Sequence, residues 1–395
     1  MKKFNYDICI FGGLGHVGLP LGIILANSGF KVLLFDKNED DFKKVSSGQM
    51  PFVEYGAEKL LKKNLNKSLF LSNNYSDIFS CENIIITIGT PIDEYLNPKL
   101  NQFVNIIEKL SYELNKKQNI IIRSSVYPGT MDIIHSTLKK KKLTNLSYCP
   151  ERIVQGYAVK ELKNLPQIIS AYDKTSEKKA TDIFSKITKK IIICKIREAE
   201  LVKLVSNSWR YIQFASANQF YMICAENNLD FDTVRKIMTD SYSRGEGLPN
   251  AGFAAGPCLL KDTMQLYAFS KNIFSIGNAA MLVNEGMPSF IINQLKKKYD
   301  INKMNIGILG MAFKANIDDK RDSLSYKIYN LLKYDVKNIY CSDEFIKNKK
   351  IISKTELIKK SDIIIIGAPH NAYKKLKFSQ KKIIIDIWSI FKKNS

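Results

Sequence analysis

Short, nearly continuous apolar runs recur through the first half of the chain and return near its end. Residues 6–11, 31–35, 83–88, 119–124, 146–149 and 190–194 are rich in Ile, Val, Leu and Phe, and most give way to small polar or turn-forming residues. Runs of this length without alternation read as strands buried on both faces, as in a parallel sheet covered by helices. Between 198 and about 228 the pattern changes. There is no Pro or Gly, and Leu201, Val202, Val205 and Ile212 recur at helical intervals, so one long helix is predicted. Further helices are predicted at 231–238, 261–269 and 277–299. The strand pattern then restarts at 304–309, 338–341, 362–366 and 382–386, with a helix at 324–333. The chain therefore reads as α/β at both ends with a helical middle.

The first strand leads into Gly12-Gly13-Leu-Gly15-His-Val-Gly18-Leu-Pro20, which holds the spacing Gly13-x-Gly15-x-x-Gly18. The first glycine permits a tight turn, the second lets a pyrophosphate approach the backbone, and the third lets helix pack on strand. The following helix turns its N-terminus to the phosphates. The next strand ends at Asp36, 18 residues past Gly18, where an acid holds both hydroxyls of an adenosine ribose and repels a 2′-phosphate. This predicts a Rossmann dinucleotide-binding domain over 1–196 that takes NAD in preference to NADP. Later strands end in Gly89-Thr90-Pro91, Ser124-Ser125 and Pro150-Glu151-Arg152. Ligands bind beyond the carboxyl ends of such strands, so Thr90, Ser124 and Ser125 are candidate contacts and Glu151 a candidate general base. Turn chemistry accounts for Thr90, Ser124 and Ser125 equally well.

Composition narrows the class. Of 395 residues, 45% are hydrophobic and 25% charged, as in a soluble multidomain protein. No run is long enough to span a bilayer, and no signal-peptide progression precedes the first strand, so a cytoplasmic protein is expected. The seven cysteines are odd in number and scattered, without a disulfide or metal framework. Cys9, Cys194, Cys341 and Cys224 fall in strand or helix patterns and read as buried small hydrophobes. The formal charge of +22 comes mainly from dispersed lysines, with short runs at 139–142 and 347–350. No basic stripe interleaved with aromatics accompanies it, so it reads as a lysine-rich surface rather than a nucleic-acid face. It also suits an anionic substrate.

Gly252-Phe-Ala-Ala-Gly-Pro-Cys258-Leu-Leu-Lys261-Asp262-Thr263 sets a cysteine after small turn residues and before a cation. Such a thiol is suited to the thiolate form and to meeting a carbonyl; a lone loop cysteine would otherwise read as inert. Lys203 and Asn207, four apart on the long helix, share a face and could stabilise an oxyanion. Taken alone, that pair reads as a solvated lysine and a cap-like asparagine. Oxidising an alcohol through to an acid requires a hydroxyl equivalent on the intermediate aldehyde. A thiolate supplies one as a thiohemiacetal, which loses hydride to become a thioester, and hydrolysis releases the acid.

Six segments together resemble the nucleotide-sugar 6-dehydrogenase family of the UDP-glucose and GDP-mannose dehydrogenase type, most closely UDP-glucose 6-dehydrogenases. They are the glycine turn, 89–91, Ser125-Val-Tyr-Pro-Gly-Thr130 with Pro150-Glu151-Arg152, Glu200-Leu-Val-Lys203-Leu-Val-Ser-Asn207, the 256–263 segment, and Ala312-Phe-Lys314 with Asp318-Asp319-Lys-Arg321-Asp-Ser323. The resemblance implies a central helical dimerisation domain (197–299) carrying the nucleophile. It also implies a smaller Rossmann-like domain (300–395) that binds the UDP-sugar. Cys258 would be the nucleophile, Lys203 and Asn207 the oxyanion holders, Glu151 the base, and Asp262 with Ser125 the managers of water. Gly13, Gly15, His16, Val17, Asp36, Thr90, Ser125 and Arg321 would touch NAD. Glu151, Lys203, Asn207, Gly256, Lys314 and a neighbouring subunit's Arg244 would touch substrate. The same resemblance implies two NAD reduced per sugar, a homodimer or higher homo-oligomer, no metal, no membrane or nucleic-acid partner, and a UDP-uronate for polysaccharide or capsule synthesis. Two positions depart from the pattern: Gln155 stands where a second glutamate is frequent, and Ala255-Gly256-Pro257 replaces a Gly-x-Gly spacing. Lys261-Asp262-Thr263 favours UDP-glucose, whereas Pro150-Glu151-Arg152 and Asp386-Ile-Trp388 lean to UDP-N-acetylhexosamines; UDP-glucose is the expected sugar. The competing expectations are a two-electron hydroxyacid dehydrogenase and a basic nucleic-acid binder.

Overall fold

The computed structural model describes residues 4–90 and 99–391. Pro91 of the 89–91 segment lies outside them. The chain divides into two compact units, 1–205 and 206–395.

The first unit is built on an eight-stranded sheet. Its strands are β1 (Tyr6–Phe11), β2 (Val32–Phe35), β3 (Leu69–Ser72), β4 (Cys81–Ile86), β5 (Asn119–Ile122), β6 (Leu146–Tyr148), β7 (Gln167–Ala171) and β8 (Ile191–Ile193). The order is β3-β2-β1-β4-β5-β6-β7-β8, and all neighbours are parallel except β6 and β7. The chain leaves β1 toward β2 on one side and returns as β4 on the other, which opens a crevice beyond the carboxyl ends of β1 and β4. Ile8, Ile10, Leu34, Ile85 and Ile121 face one apolar core, and Cys9, Leu33, Phe35, Ile84, Ile120 and Ile122 the other. Burial on both faces explains the unbroken apolar runs.

The strand predicted at 83–88 stops at Ile86. Thr87 Oγ1 donates to the Phe11 and Gly12 carbonyls, both at 3.0 Å, bending the chain toward the glycine turn. β3 and β7 went unanticipated. β3 is a four-residue edge strand, and β7 reads Gln-Ile-Ile-Ser-Ala, with too short an apolar run to stand out. Cys194, expected inside a strand, follows β8 and is only half-buried.

A 31-residue helix, Ile196–Glu226, spans the division between the units. Leu201, Val205 and Trp209 recur at four-residue spacing and stay exposed. In the second unit the helices Leu259–Phe269 and Ser275–Lys298 precede a four-stranded parallel sheet: β9 (Asn305–Leu309), β10 (Asn338–Ser342), β11 (Ile363–Ile366) and β12 (Ile383–Ile385), in the order β10-β9-β11-β12. Met287, Ile291 and Leu295 of the second helix pack with Ile306, Ile308 and Ile363 of the sheet. Among the described residues, no helix is long and apolar enough to cross a membrane.

Candidate active site

The glycine turn follows β1 directly. Its left-handed residue is Gly12 (φ 87°), not Gly13. A Cβ on Gly13 would meet Leu34 at 2.9 Å, and one on Gly18 would meet the Gly12 carbonyl at 2.2 Å, so both serve internal packing. At Gly15 a Cβ would meet only the Gly12 carbonyl, at 3.6 Å, and the residue is exposed. Bare, exposed backbone there leaves room for a group from outside, as a dinucleotide pyrophosphate would be.

Asp36 sits at the end of β2. Its Oδ2 accepts Leu14 N–H at 3.1 Å, and its Oδ1 accepts the N–H groups of Lys37 and Asn38 at 2.8 and 3.1 Å. The carboxylate is thereby fixed beside the turn. Next to it lies a pocket of ≈ 310 Å³ lined by Phe11, Gly12, Asp36, Tyr75, Ile88 and Phe103, among others. The Tyr75 and Phe35 ring centroids are 4.9 Å apart, and Lys37 Nζ stands 4.4 Å from the Tyr75 centroid. The two rings are tilted by 51° and form an apolar wall beside the Asp36 carboxylate, a setting that an adenosine would suit. Asp36→Ala is expected to raise KM for NAD about ten-fold or more, as for loss of a charged hydrogen bond, with KM for the sugar nucleotide unchanged. Equal KM for NAD in both proteins, from initial rates, would remove Asp36 from the cofactor set.

His16 and Val17 complete the turn. The His16 ring stands 4.0 Å from Phe52 between centroids, and its Nδ1 is 3.0 Å from Gln155 Nε2. Gln155, the departure noted in the sequence, thus ties the 150–157 loop to the glycine turn. Thr90 Oγ1 donates to the Ser125 carbonyl at 2.6 Å, joining the loops after β4 and β5. Ser124 Oγ donates to the Ile88 carbonyl at 2.6 Å, which is turn chemistry.

Glu151 is more constrained than the sequence implied. Its Oε2 pairs with the fully buried Arg123, and its Oε1 accepts Arg152 and Ile153 N–H at 2.6 and 3.0 Å. Arg123 also donates to the Cys149 carbonyl at 3.2 Å and Gln167 Oε1 at 2.8 Å. The sequence gives Arg123 no role by itself, yet a lone cation directly after the Ile120–Ile122 run is a sign of a buried ion pair. Glu200 opens the 200–207 segment singled out in the sequence but had no role there, although its spacing to Lys203 and Asn207 puts the three on one helix face. Glu200 is fully buried and accepts Gly129 and Met131 N–H at 2.8 and 2.9 Å. It therefore anchors the 125–130 segment to the long helix. Burial pushes its carboxyl up, against those two donors and Arg197.

Lys203 is nearly buried on the same helix. In the second unit, Asn207 Nδ2 donates to Asp262 Oδ2 at 2.6 Å. Lys261 Nζ approaches Asp262 Oδ1 at 2.8 Å as a charge pair. The lysine following the cysteine thus directs its charge at Asp262. Cys258 is the N-cap residue of Leu259–Phe269 and is exposed. Burial instead pushes the Cys149 and Cys341 thiols up to about 12, so both stay protonated and inert. Gly256 abuts the Phe313 ring, next to Lys314 on the loop after β9. Asp343, after β10, accepts Met311 and Ala312 N–H at 2.6 and 2.9 Å and fixes that loop. Arg321 is bound to Asp319. Arg244 is exposed on a separate 3-10 turn, its guanidinium 5.7 Å from the Tyr242 centroid, and is not brought to these residues.

Three domain models of one family match the chain: the NAD binding domain of the UDP-glucose/GDP-mannose dehydrogenase family over 6–188, its central domain over 197–286 and its UDP binding domain over 307–393. The chain is 31% identical over 378 residues to a UDP-N-acetyl-D-mannosamine dehydrogenase of Methanocaldococcus jannaschii, covering 93% of this chain and 86% of that one. It is 27% identical over 412 residues to a UDP-glucose 6-dehydrogenase of Rickettsia bellii, covering 97% and 95%. The solved UDP-D-ManNAc dehydrogenase from Pyrococcus horikoshii superposes with a TM-score of 0.86 at 25% identity, covering 94% of this chain and 91% of that one.

Proposed function

The chain belongs to the UDP-glucose/GDP-mannose dehydrogenase family, and on that premise we propose that it oxidises C6 of UDP-N-acetylmannosamine to the carboxylate, with two NAD reduced per sugar. NAD-dependent oxidation of a UDP-sugar follows from the family and its relatives. The observation that carries the sugar is the 31% identity across 93% of the chain to a UDP-N-acetyl-D-mannosamine dehydrogenase. Pro150-Glu151-Arg152 and Asp386-Ile-Trp388 lean to the wider class of UDP-N-acetylhexosamines, to which that sugar belongs. This shifts the preference away from the UDP-glucose expected from sequence. UDP-glucose is retained as the second reading because of Lys261-Asp262-Thr263 and the Rickettsia bellii relative.

NAD, when bound, accepts a hydride at each oxidation. The chain's own residues do the rest. Cys258 Sγ adds to the aldehyde carbon, and the carbonyl electron pair becomes an oxyanion, whose stabilisation falls to Lys203 and Asn207. Loss of hydride leaves a thioester, which water cleaves, returning the thiol and releasing the acid. Asp262, which orients the Asn207 amide, manages that water in the second unit, and the family resemblance assigns proton and water roles to Ser125 and Glu151 of the first. Lys314 and Gly256 receive the nucleotide sugar. The protein acts in the cytoplasm as a homodimer built on the long helix, a reading supported by the exposed apolar stripe of Leu201, Val205 and Trp209. Arg244 reaches the neighbour's nucleotide.

The test is a panel of UDP-N-acetylmannosamine, UDP-N-acetylglucosamine, UDP-glucose, UDP-galactose and GDP-mannose, with NADH counted per sugar. UDP-N-acetylmannosamine is expected to exceed UDP-glucose in kcat/KM by about ten-fold or more, the discrimination that pocket contacts to one substituent provide. The reverse ranking returns UDP-glucose. One NADH per sugar overturns the four-electron route.

A further inference from the structure

Strands β10, β9 and β11 lie side by side and parallel, so the residues that follow them meet at one edge of the sheet. Ligands bind beyond such carboxyl ends. The stretch after β9, residues 310–316, carries Lys314. Asp343, after β10, holds the first part of it: Oδ2 accepts Met311 and Ala312 N–H at 2.6 and 2.9 Å. The far end is held from the opposite side. Asn316 N–H donates to His370 Nδ1 at 2.8 Å, and Asn316 Oδ1 accepts Asn371 N–H at 2.9 Å. His370 and Asn371 both belong to the stretch after β11.

That clasp fixes both a costly backbone and a single tautomer. Asn316 has a φ of 58°, in the left-handed region that a residue with a side chain enters only when its surroundings hold it there. Because His370 Nδ1 accepts an amide proton, the ring's own proton sits on Nε2, which donates to the same Asp343 Oδ2 at 3.2 Å. The Asp343 and His370 side chains are fully buried. The Phe345 and Tyr373 ring centroids stand 5.1 and 5.2 Å from the imidazole and keep it in that orientation. His370 therefore joins the two anchors: Nε2 meets the carboxylate that grips residues 311 and 312, and Nδ1 grips residue 316. Along the chain, Lys314 stands between them.

We infer that His370 is a positioning residue for the nucleotide sugar: through Nδ1 it sets the backbone from which Lys314 meets the UDP portion. This rests on the reading that Lys314 receives the nucleotide. No step of the oxidation passes through the imidazole, so its effect falls on binding in the second unit and leaves the dinucleotide site of the first alone.

The experiment is calorimetric titration of the full chain with UDP, and separately with NAD, in two variants that part the ring nitrogens. His370→Gln can set an amide donor where Nε2 stood but leaves Asn316 N–H without an acceptor. His370→Asn sets Oδ1 where Nδ1 stood and keeps that bond. His370→Gln is expected to weaken UDP binding about five-fold, the scale of one neutral hydrogen bond, with NAD binding unchanged. His370→Asn should rescue UDP affinity even though it leaves the larger cavity in the core. A merely structural role predicts the reverse ranking, since the larger cavity is the more disruptive. Wild-type UDP affinity in His370→Gln, an equal or greater loss in His370→Asn, or a matching loss of NAD affinity overturns the assignment. Titration stoichiometry counts only folded protein. Should His370→Gln not fold, His370→Asn decides alone: wild-type UDP affinity supports the role of Nδ1 and weakened affinity overturns it. Lys314→Ala tests the premise separately, and unchanged UDP affinity there would overturn the reading of Lys314 itself, a result distinct from failure at His370.

Discussion

Cys258→Ser is expected to lose uronate formation by three orders of magnitude or more, on the scale of removing a nucleophile from a concerted site. A serine hydroxyl is far less acidic than a thiol, so at neutral pH it supplies almost none of the anion that adds to an aldehyde. Its closest carboxylate along the chain, Asp262, is committed to Lys261 and Asn207. The first oxidation, alcohol to aldehyde, needs no sulfur. The variant is therefore expected to give at most one NADH per sugar, with an aldehyde that a hydrazine reagent can trap. No other cysteine offers a substitute in the second unit: Cys224 and Cys341 are buried, and the Cys341 thiol is pushed up to about 12 by that burial. Single-turnover counting of NADH, with the product identified by mass, decides the matter. Two NADH and the full acid from Cys258→Ser would end the thioester route.

What could be read from sequence was whatever leaves a local signature. The glycine turn and Asp36 did, because the spacing of Gly13, Gly15 and Gly18 and the distance to Asp36 are fixed by strand–turn–helix–strand geometry. The continuous Ile runs of β4, β5 and β11 also did, since a strand covered on both faces has no polar side to show. β7 did not, because its five residues include Gln167 and Ser170, which serve Arg123 and the Tyr148 carbonyl rather than apolar packing. The state of each candidate side chain was also beyond reach. Lys261 next to Asp262 gives no sign that the two charges meet, and Glu151 gives none that Arg123, 28 residues earlier, would take one of its oxygens. Partners brought together by folding, not by spacing, decide whether a carboxylate is poised for chemistry or holding a loop.

Arg123→Met is expected to destabilise the first unit by about 3–5 kcal/mol, the cost of stripping one partner from a buried ion pair. The Arg123 side chain is fully buried, lies 4.9 Å from the Phe184 centroid, and answers Cys149, Gln167 and Glu151 at once. Methionine fills much of the volume but leaves the Glu151 carboxylate, only 12% exposed, with two backbone N–H donors and no cation. Thermal unfolding should show a clear fall in melting temperature, and kcat should fall with it because Glu151 swings from its loop. The double variant Arg123→Met/Glu151→Gln separates the two effects. Without a buried charge to strand, it should recover part of the stability, yet it should remain slow in thioester hydrolysis, since an amide cannot act as base. Recovery of both stability and turnover would mean that the pair only holds the loop and that the water-ordering role belongs elsewhere. An unchanged melting temperature in Arg123→Met would mean that water reaches this site in solution and the pair contributes nothing. A fully buried arginine would, on the expected result, set where the general base stands.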